Sequence, residues 1–183
     1  MVTGSRARRG LRWHPLRMWV RPLDLERRRG EHRVAAFVYG DVLVLAASAG
    51  VAPGAVHSGE ALAVVVATVV STYVAHVLAD VSGAVFGGGA IAAAVRSEMR
   101  DGLPIVGAGL GSGVLFAAAA AGWLGPLLAQ GLACALLVAR LASLGVVYRR
   151  WREPIPLARA VGAGAAVALV AALVAATKLV LVH

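Results

Sequence analysis

The sequence contains no asparagine, one lysine (Lys178) and one cysteine (Cys134) among its 183 residues. A single cysteine excludes an internal disulfide framework and a CxxC metal site. Because Cys134 lies within an apolar run, we expect it to pack as a small hydrophobic side chain.

The common signatures of nucleotide-hydrolysing and zinc enzymes are also missing. The chain has no GxxxxGKS/T loop to cradle the phosphates of ATP and no HExxH helix to bind a catalytic zinc ion. We therefore expect that the protein is not an enzyme and that it carries no cofactor.

Charged residues make up only 15% of the chain, whereas hydrophobic residues make up 60%. A soluble domain of this length needs more polar side chains to cover its surface, so the composition predicts an integral membrane protein. Ten of the 18 basic residues lie within 1–33. Such clustering argues against nucleic acid as a partner and favours a role in membrane orientation or in contact with membrane lipid.

Five apolar runs approach or exceed the roughly 20 residues that a membrane helix needs. They predict an all-α fold, a five-helix transmembrane bundle, with spans at about 34–52, 61–81, 104–123, 126–148 and 158–182. Residues 33–183 then form a single transmembrane domain. Residues 1–32 form a basic tail, either disordered or helical on the membrane surface, and a start at Met18 would leave residues 1–17 untranslated.

The charges of the connecting segments predict how the five spans are oriented. The tail and the segments 87–103 and 149–157 are basic, whereas the connections on the opposite side contain no lysine or arginine. By the positive-inside rule the N-terminus lies in the cytoplasm and the C-terminus outside, and we expect the protein in the cell membrane.

Small residues dominate the spans and allow helices to approach one another closely. The segment GAGLGSG (107–113) contains two overlapping GxxxG spacings, Gly107/Gly111 and Gly109/Gly113. These glycines either pack helices within one chain or form the seam of a homodimer. We favour packing within one chain, and the homodimer stays open.

Charged residues inside the spans are predicted to share one depth. Asp41 follows Arg33 by eight positions in the first span, and Arg140 lies eight positions before the end of the fourth. At 1.5 Å per residue, both lie roughly 12 Å from the same face. His76 in the second span lies at a similar depth, with Asp80 at the lower edge of this layer.

The second span carries a stripe of polar side chains. Thr68, Thr72, His76 and Asp80 recur every four residues, and Tyr73 lies beside them. This spacing places the four on one face of a helix. Polar groups are costly in lipid, so we expect this face to contact other helices or a wet cavity.

The charged layer permits two interpretations. In the first, the layer is a transport site for an ion or metal of unknown identity, and Arg140 tunes its charge. The residues of that site are Asp41, His76, Asp80, Thr72 and Tyr73. In the second, Asp41 and Arg140 form a structural ion pair in a membrane scaffold or partner subunit. Direct contact between these two without an open cavity would favour the second.

The stretch DVLVLAASAGVAPGA (41–55) resembles the first span of the vacuolar iron transporter family, where a membrane Asp precedes a long run of small residues. The stretch STYVAHVLAD (71–80) is similar to the metal-binding second span of that family, with His76 near the position of a ligand Glu. Asp41 is followed by Val42 where the family has Gly. The resemblance implies five spans, a cytoplasmic N-terminus and transport of iron or manganese, and we predict a small cation or divalent-metal transporter.

Overall fold

The computed structural model describes residues 16–151 and 156–182, with side chains over 30–146 and 156–177. These residues form helices and short connections without a strand, which confirms the all-α class. In chain order the helices are α1 (Leu16–Ala49), α2 (Pro53–His57), α3 (Glu60–Phe86), α4 (Ile91–Asp101), α5 (Leu103–Ala120), α6 (Pro126–Trp151) and α7 (Leu157–Val182).

Five helical segments are long and apolar enough to cross a membrane, as many as the sequence predicts. They are Gly30–Ala49, Glu60–Phe86, Ile91–Ala120, Pro126–Val146 and Leu157–Thr177. The third begins at residue 91 rather than at about 104. Helix α1 begins at residue 16, so the described part of the predicted tail belongs to the same helix as the first span. Tail residues 1–15 lie outside the described part of the chain.

Helix α4 continues into α5 through a single residue, Gly102. The backbone of Gly102 keeps right-handed helical angles (φ −78°, ψ −10°), and its N–H donates to the carbonyl of Glu98 at 2.9 Å. Pro104 has no N–H to offer the carbonyl of Arg100, so the junction is expected to bend. The segment 87–103 therefore contains a helix that runs on into α5, which is why the third candidate span extends back to residue 91.

Helix α1 is the central helix of the bundle. It is the most buried of the five candidate spans and packs against α3, α5, α6 and α7. Helix α3, in contrast, exposes a row of large aliphatic side chains along its length. The side chains of the surrounding core include Val44, Val65, Phe116, Leu137 and Leu141. A polar residue on the inner face of α1, such as Asp41, is therefore enclosed by protein, whereas one on the outer face of α3 would meet lipid.

The four glycines of the GAGLGSG segment face two neighbouring helices of the same chain. Two face α3 and two face α6, and at two of them an added Cβ would overlap a neighbouring side chain. The nearest side chains are Arg140 for Gly107, Val69 for Gly109, Leu136 for Gly111 and Leu62 for Gly113. These glycines thus pack helices within one chain, and the homodimer stays a prediction.

The closest approach between helices joins α6 to α7. A Cβ on Gly145 would overlap the carbonyl oxygen of Ala160, and a Cβ on Gly164 would overlap that of Ala142. Both glycines are buried, and the two backbones are in direct contact there. Small residues are what permit such contact between membrane helices.

We predict that Gly164→Ala destabilises the bundle, because the new methyl group would force α7 away from the backbone of α6. A shift of this kind costs about 1–3 kcal/mol. Thermal unfolding of the purified protein in detergent measures the effect. Gly162→Ala is the matched control, since a Cβ at Gly162 meets nothing within 4 Å. Equal melting temperatures for the two variants would contradict the packing described here.

Gln130 of α6 caps the end of α1. Its side-chain Nε2 donates to the backbone carbonyls of Ser48, Ala49 and Val51 at 3.0, 3.2 and 2.9 Å. The chain turns at Pro53, which has no N–H to donate to the carbonyl of Ala49. In the apolar part of a membrane, a carbonyl without a donor costs several kcal/mol. One amide group therefore stabilises the point where the first span ends.

Replacing Gln130 by Met is expected to lower the free energy of unfolding by about 1–3 kcal/mol, because the carbonyls lose their donor while the side chain keeps its length. Leu128→Met, at an exposed position two residues away, is the control. The melting temperature in detergent is the readout. If both variants melt at the temperature of the parent protein, Gln130 is not a stabilising cap.

Candidate functional site

The structure brings two of the predicted site residues into direct contact. Arg140 on α6 donates from Nε to Oδ1 of Asp41 on α1 at 2.9 Å. The Asp41 side chain is completely buried, and that of Arg140 is 28% exposed. Phe37 lies one turn before Asp41, and its ring centroid is 4.8 Å from the guanidinium carbon of Arg140. A charge-assisted hydrogen bond and a cation–π contact thus hold this guanidinium.

The ion pair uses only one of the two carboxylate oxygens. Oδ2 of Asp41 is buried and has no hydrogen-bond partner among the described residues. On the other side of the pair, a Cβ on Gly107 of α5 would lie 3.5 Å from Nη2 of Arg140, so the guanidinium rests against the α5 backbone. A buried carboxylate oxygen without a donor is costly unless a proton or cation occupies it.

A second group of polar side chains lies where α1, α3 and α4 meet. One ligand atom from each of His32, Asp80 and Glu98 lies within 4.8 Å of the other two, and we call these three residues the α4 cluster. Nδ1 of His32 is 3.5 Å from Oδ2 of Asp80. His76, one turn before Asp80 on α3, places Nε2 3.4 Å from the same oxygen.

Two atoms, one in this cluster and one beside it, are buried and have no hydrogen-bond partner among the described residues. They are Oε2 of Glu98 and Nε2 of His76. The 3.4 Å contact of His76 with Asp80 does not have hydrogen-bond geometry, so this nitrogen stays unsatisfied despite its proximity to the carboxylate. Buried polar atoms normally have a partner. The cluster therefore offers ligand atoms that the protein itself does not satisfy.

Further contacts attach α4 to its neighbours. Nε of Arg33 on α1 is 3.0 Å from Oδ1 of Asp101, which is buried. The hydroxyl of Tyr73 donates to the backbone carbonyl of Met99 at 2.9 Å. The ring of Tyr73 also lies against Gly102, where a Cβ would come within 3.1 Å of it. These bonds hold Glu98 at its position against α3.

The polar stripe of α3 has several separate roles. Thr72 is buried, and Thr68 donates to the carbonyl of Val64 in its own helix at 2.8 Å. The hydroxyl of Tyr73 donates a hydrogen bond to α4, and His76 and Asp80 contact each other. Of the predicted transport residues, Asp41 and Arg140 thus form one centre. His76, Asp80 and Tyr73 make their contacts in or around the second centre, the α4 cluster.

His32 and Glu98 of the α4 cluster are absent from the site predicted from the sequence. His32 falls in the predicted tail and Glu98 in the basic segment 87–103 between the second and third predicted spans. The available signal is depth: His32 immediately precedes the first span and Asp80 nearly ends the second, so both lie at the same face. The depths of the span ends therefore predict that His32 and Asp80 lie close together, as they do in the structure.

The side chains of the α4 cluster are of the types that bind divalent metal ions. Imidazole nitrogen and carboxylate oxygen together suit ions such as Mn²⁺, Fe²⁺ and Zn²⁺. With metal–ligand bonds of about 2.0–2.2 Å, ligand atoms around one ion lie about 3–4.4 Å apart. The ligand atoms in the cluster lie within 4.8 Å of one another, so small side-chain rotations would bring them into range.

Comparisons of the chain with protein-family models, curated proteins and solved structures find no match. The resemblance to vacuolar iron transporters therefore continues to depend on the two short stretches in the first and second spans.

We predict that Arg140→Met is more destabilising than removal of both charges in Asp41→Leu/Arg140→Met. The single variant leaves a buried carboxylate without its partner, at a cost of about 3–5 kcal/mol, whereas the double variant leaves no charge there. Melting temperatures of the parent protein, both single variants and the double variant complete a double-mutant cycle. Additive effects of the two single substitutions would show that the contact contributes no coupling.

Proposed function

We propose that the protein is a cation transporter of the cell membrane, specific for a divalent metal, with its N-terminus in the cytoplasm. The observation that carries the proposal is the α4 cluster, in which imidazole and carboxylate ligands from three helices lie within 4.8 Å of one another. The basic segments around this end of the bundle support the orientation. In this orientation the cluster is the cytoplasmic entry site.

His76 and Asp41 extend the proposed path into the bundle. His76 lies one helical turn further along α3 from Asp80, and its unsatisfied Nε2 is buried. Asp41 lies deeper on α1, with the buried Oδ2 as its free acceptor. Arg140 binds the other oxygen and reduces the net negative charge at that point, which limits how tightly a cation is held. Thr72 and Tyr73 lie beside this path on α3.

The resemblance to vacuolar iron transporters is consistent with this proposal but does not carry it. It places Asp41 at the position of a membrane Asp and His76 near a ligand position. The resemblance does not extend to His32 or Glu98 of the α4 cluster, which lie outside the two similar stretches.

A second function is favoured by a specific observation, the 2.9 Å contact of Arg140 with a completely buried Asp41, which is the arrangement expected of a structural ion pair rather than of a carboxylate facing an open cavity. A pair that close neutralises itself and needs no cation. In this case the protein is a membrane scaffold or partner subunit, and the pair serves to hold α1 against α6. The two proposals differ in whether any ion crosses the membrane.

The test combines metal binding and flux with the purified full chain. Binding of Mn²⁺, Fe²⁺ and Zn²⁺ is measured by calorimetry in detergent, and uptake by a metal-sensitive dye enclosed in liposomes, with K⁺ and H⁺ as comparison ions. The variants are His32→Gln, Asp80→Asn, Glu98→Gln and Asp41→Asn. Glu60→Gln is the matched control, since Glu60 is exposed and lies at the opposite end of α3.

We predict that Asp80→Asn weakens metal binding by about tenfold or more, because it removes the carboxylate that contacts both histidines. Asp41→Asn is expected to leave binding at the α4 cluster intact and to abolish flux. Glu60→Gln is expected to change neither quantity. If the parent protein moves no ion and Asp41→Asn only lowers the melting temperature, the scaffold function replaces the transporter.

A further inference from the structure

The outer face of α4 presents two arginines that have no acidic partner among the side chains that the structure describes. Arg96 and Arg100 are exposed, lie four residues apart on one face of the helix and make no ion pair with a described residue. The acidic residues of the same helix, Glu98 and Asp101, lie on the inner face against α1 and α3. Helix α4 thus separates its charges, with the anions facing the protein and the cations facing outward.

Apolar side chains lie next to these arginines on the exposed face. Met99 is 48% exposed, and Leu103, which opens α5 just beyond α4, is 55% exposed. At 100° per residue, Met99 lies about 60° from Arg96 around the helix axis and Leu103 about 20° from it. This combination of basic and apolar side chains is typical of helices at a membrane interface.

The length of the third candidate span places the arginines at the level of the lipid headgroups. The span Ile91–Ala120 has 30 residues, which at 1.5 Å each is about 45 Å, whereas the hydrocarbon core is about 30 Å thick. The 18 residues of α5 account for about 27 Å of that core. Arg100 and Arg96 then lie roughly 5 and 10 Å beyond the start of α5, within the headgroup layer.

We propose that the outer face of α4, formed by Arg96, Arg100 and Met99 and continued by Leu103 at the start of α5, binds an anionic phospholipid. The two guanidinium groups bind the phosphate, for which their paired N–H donors are suited, and the apolar side chains contact the acyl chains. The site prefers an anionic lipid because two cationic groups face one headgroup and no described acid neutralises them. This inference does not depend on transport, because the α4 cluster lies on the opposite face of the helix.

The test is native mass spectrometry of the detergent-solubilised full chain, titrated with phosphatidylglycerol or with phosphatidylcholine. The variants are Arg96→Gln, Arg100→Gln and the double variant. Arg159→Gln is the matched control, since Arg159 is an exposed arginine at the start of α7. A further arm adds inorganic phosphate to the complex with phosphatidylglycerol.

We expect phosphatidylglycerol to bind more tightly than phosphatidylcholine. Each single substitution is expected to weaken it about fivefold and the double substitution about 25-fold, with less than a twofold change in Arg159→Gln. If the double variant does not fold, the affinities of the two single variants for phosphatidylglycerol test the proposal. Equal binding of the two lipids, an equal loss in Arg159→Gln, or displacement of the lipid by millimolar inorganic phosphate would each overturn the proposal.

Discussion

The ion pair between Asp41 and Arg140 is the constraint around which the bundle is arranged. A membrane offers no water to solvate a buried carboxylate, so Asp41 requires a partner from the protein. Arg140 meets this need from α6, and Phe37 and the α5 backbone at Gly107 enclose its guanidinium. Three helices must therefore keep fixed relative positions at this depth.

The candidate span within α1, Gly30–Ala49, is bonded to its neighbours at both ends as well as in the middle. Near its first residue, His32 and Arg33 contact α3 and α4. At the other end, Gln130 binds the terminal carbonyls of α1 from α6. The packing between α6 and α7 is of another kind, since Gly145 and Gly164 bring two backbones together without polar side chains. Polar bonds position the buried helix, and small residues position the peripheral one.

The sequence predicts the helical class and the number of candidate spans, because both follow from hydrophobicity and length. The depth argument also places Asp41 and Arg140 at one level, since 1.5 Å per residue is a dependable rule within a helix, but it leaves open whether they pair. It does not show that α4 continues into α5 or that Glu98 lies beside Asp80, because both depend on how this amphipathic helix packs against α3. It also gives no signal for Gln130, because a capping amide is identified only by the carbonyls it meets.

The 99 residues that separate Asp41 from Arg140 have a consequence for biosynthesis. Synthesis proceeds at about 5–20 residues per second, so the first span emerges from the ribosome roughly 5–20 s before its arginine. During that interval the carboxyl group lacks Arg140 and has to be protonated or to stay within reach of water. The ion pair forms only after the fourth span has been made, so the contact that fixes α1 against α6 is a late step in the assembly of the bundle.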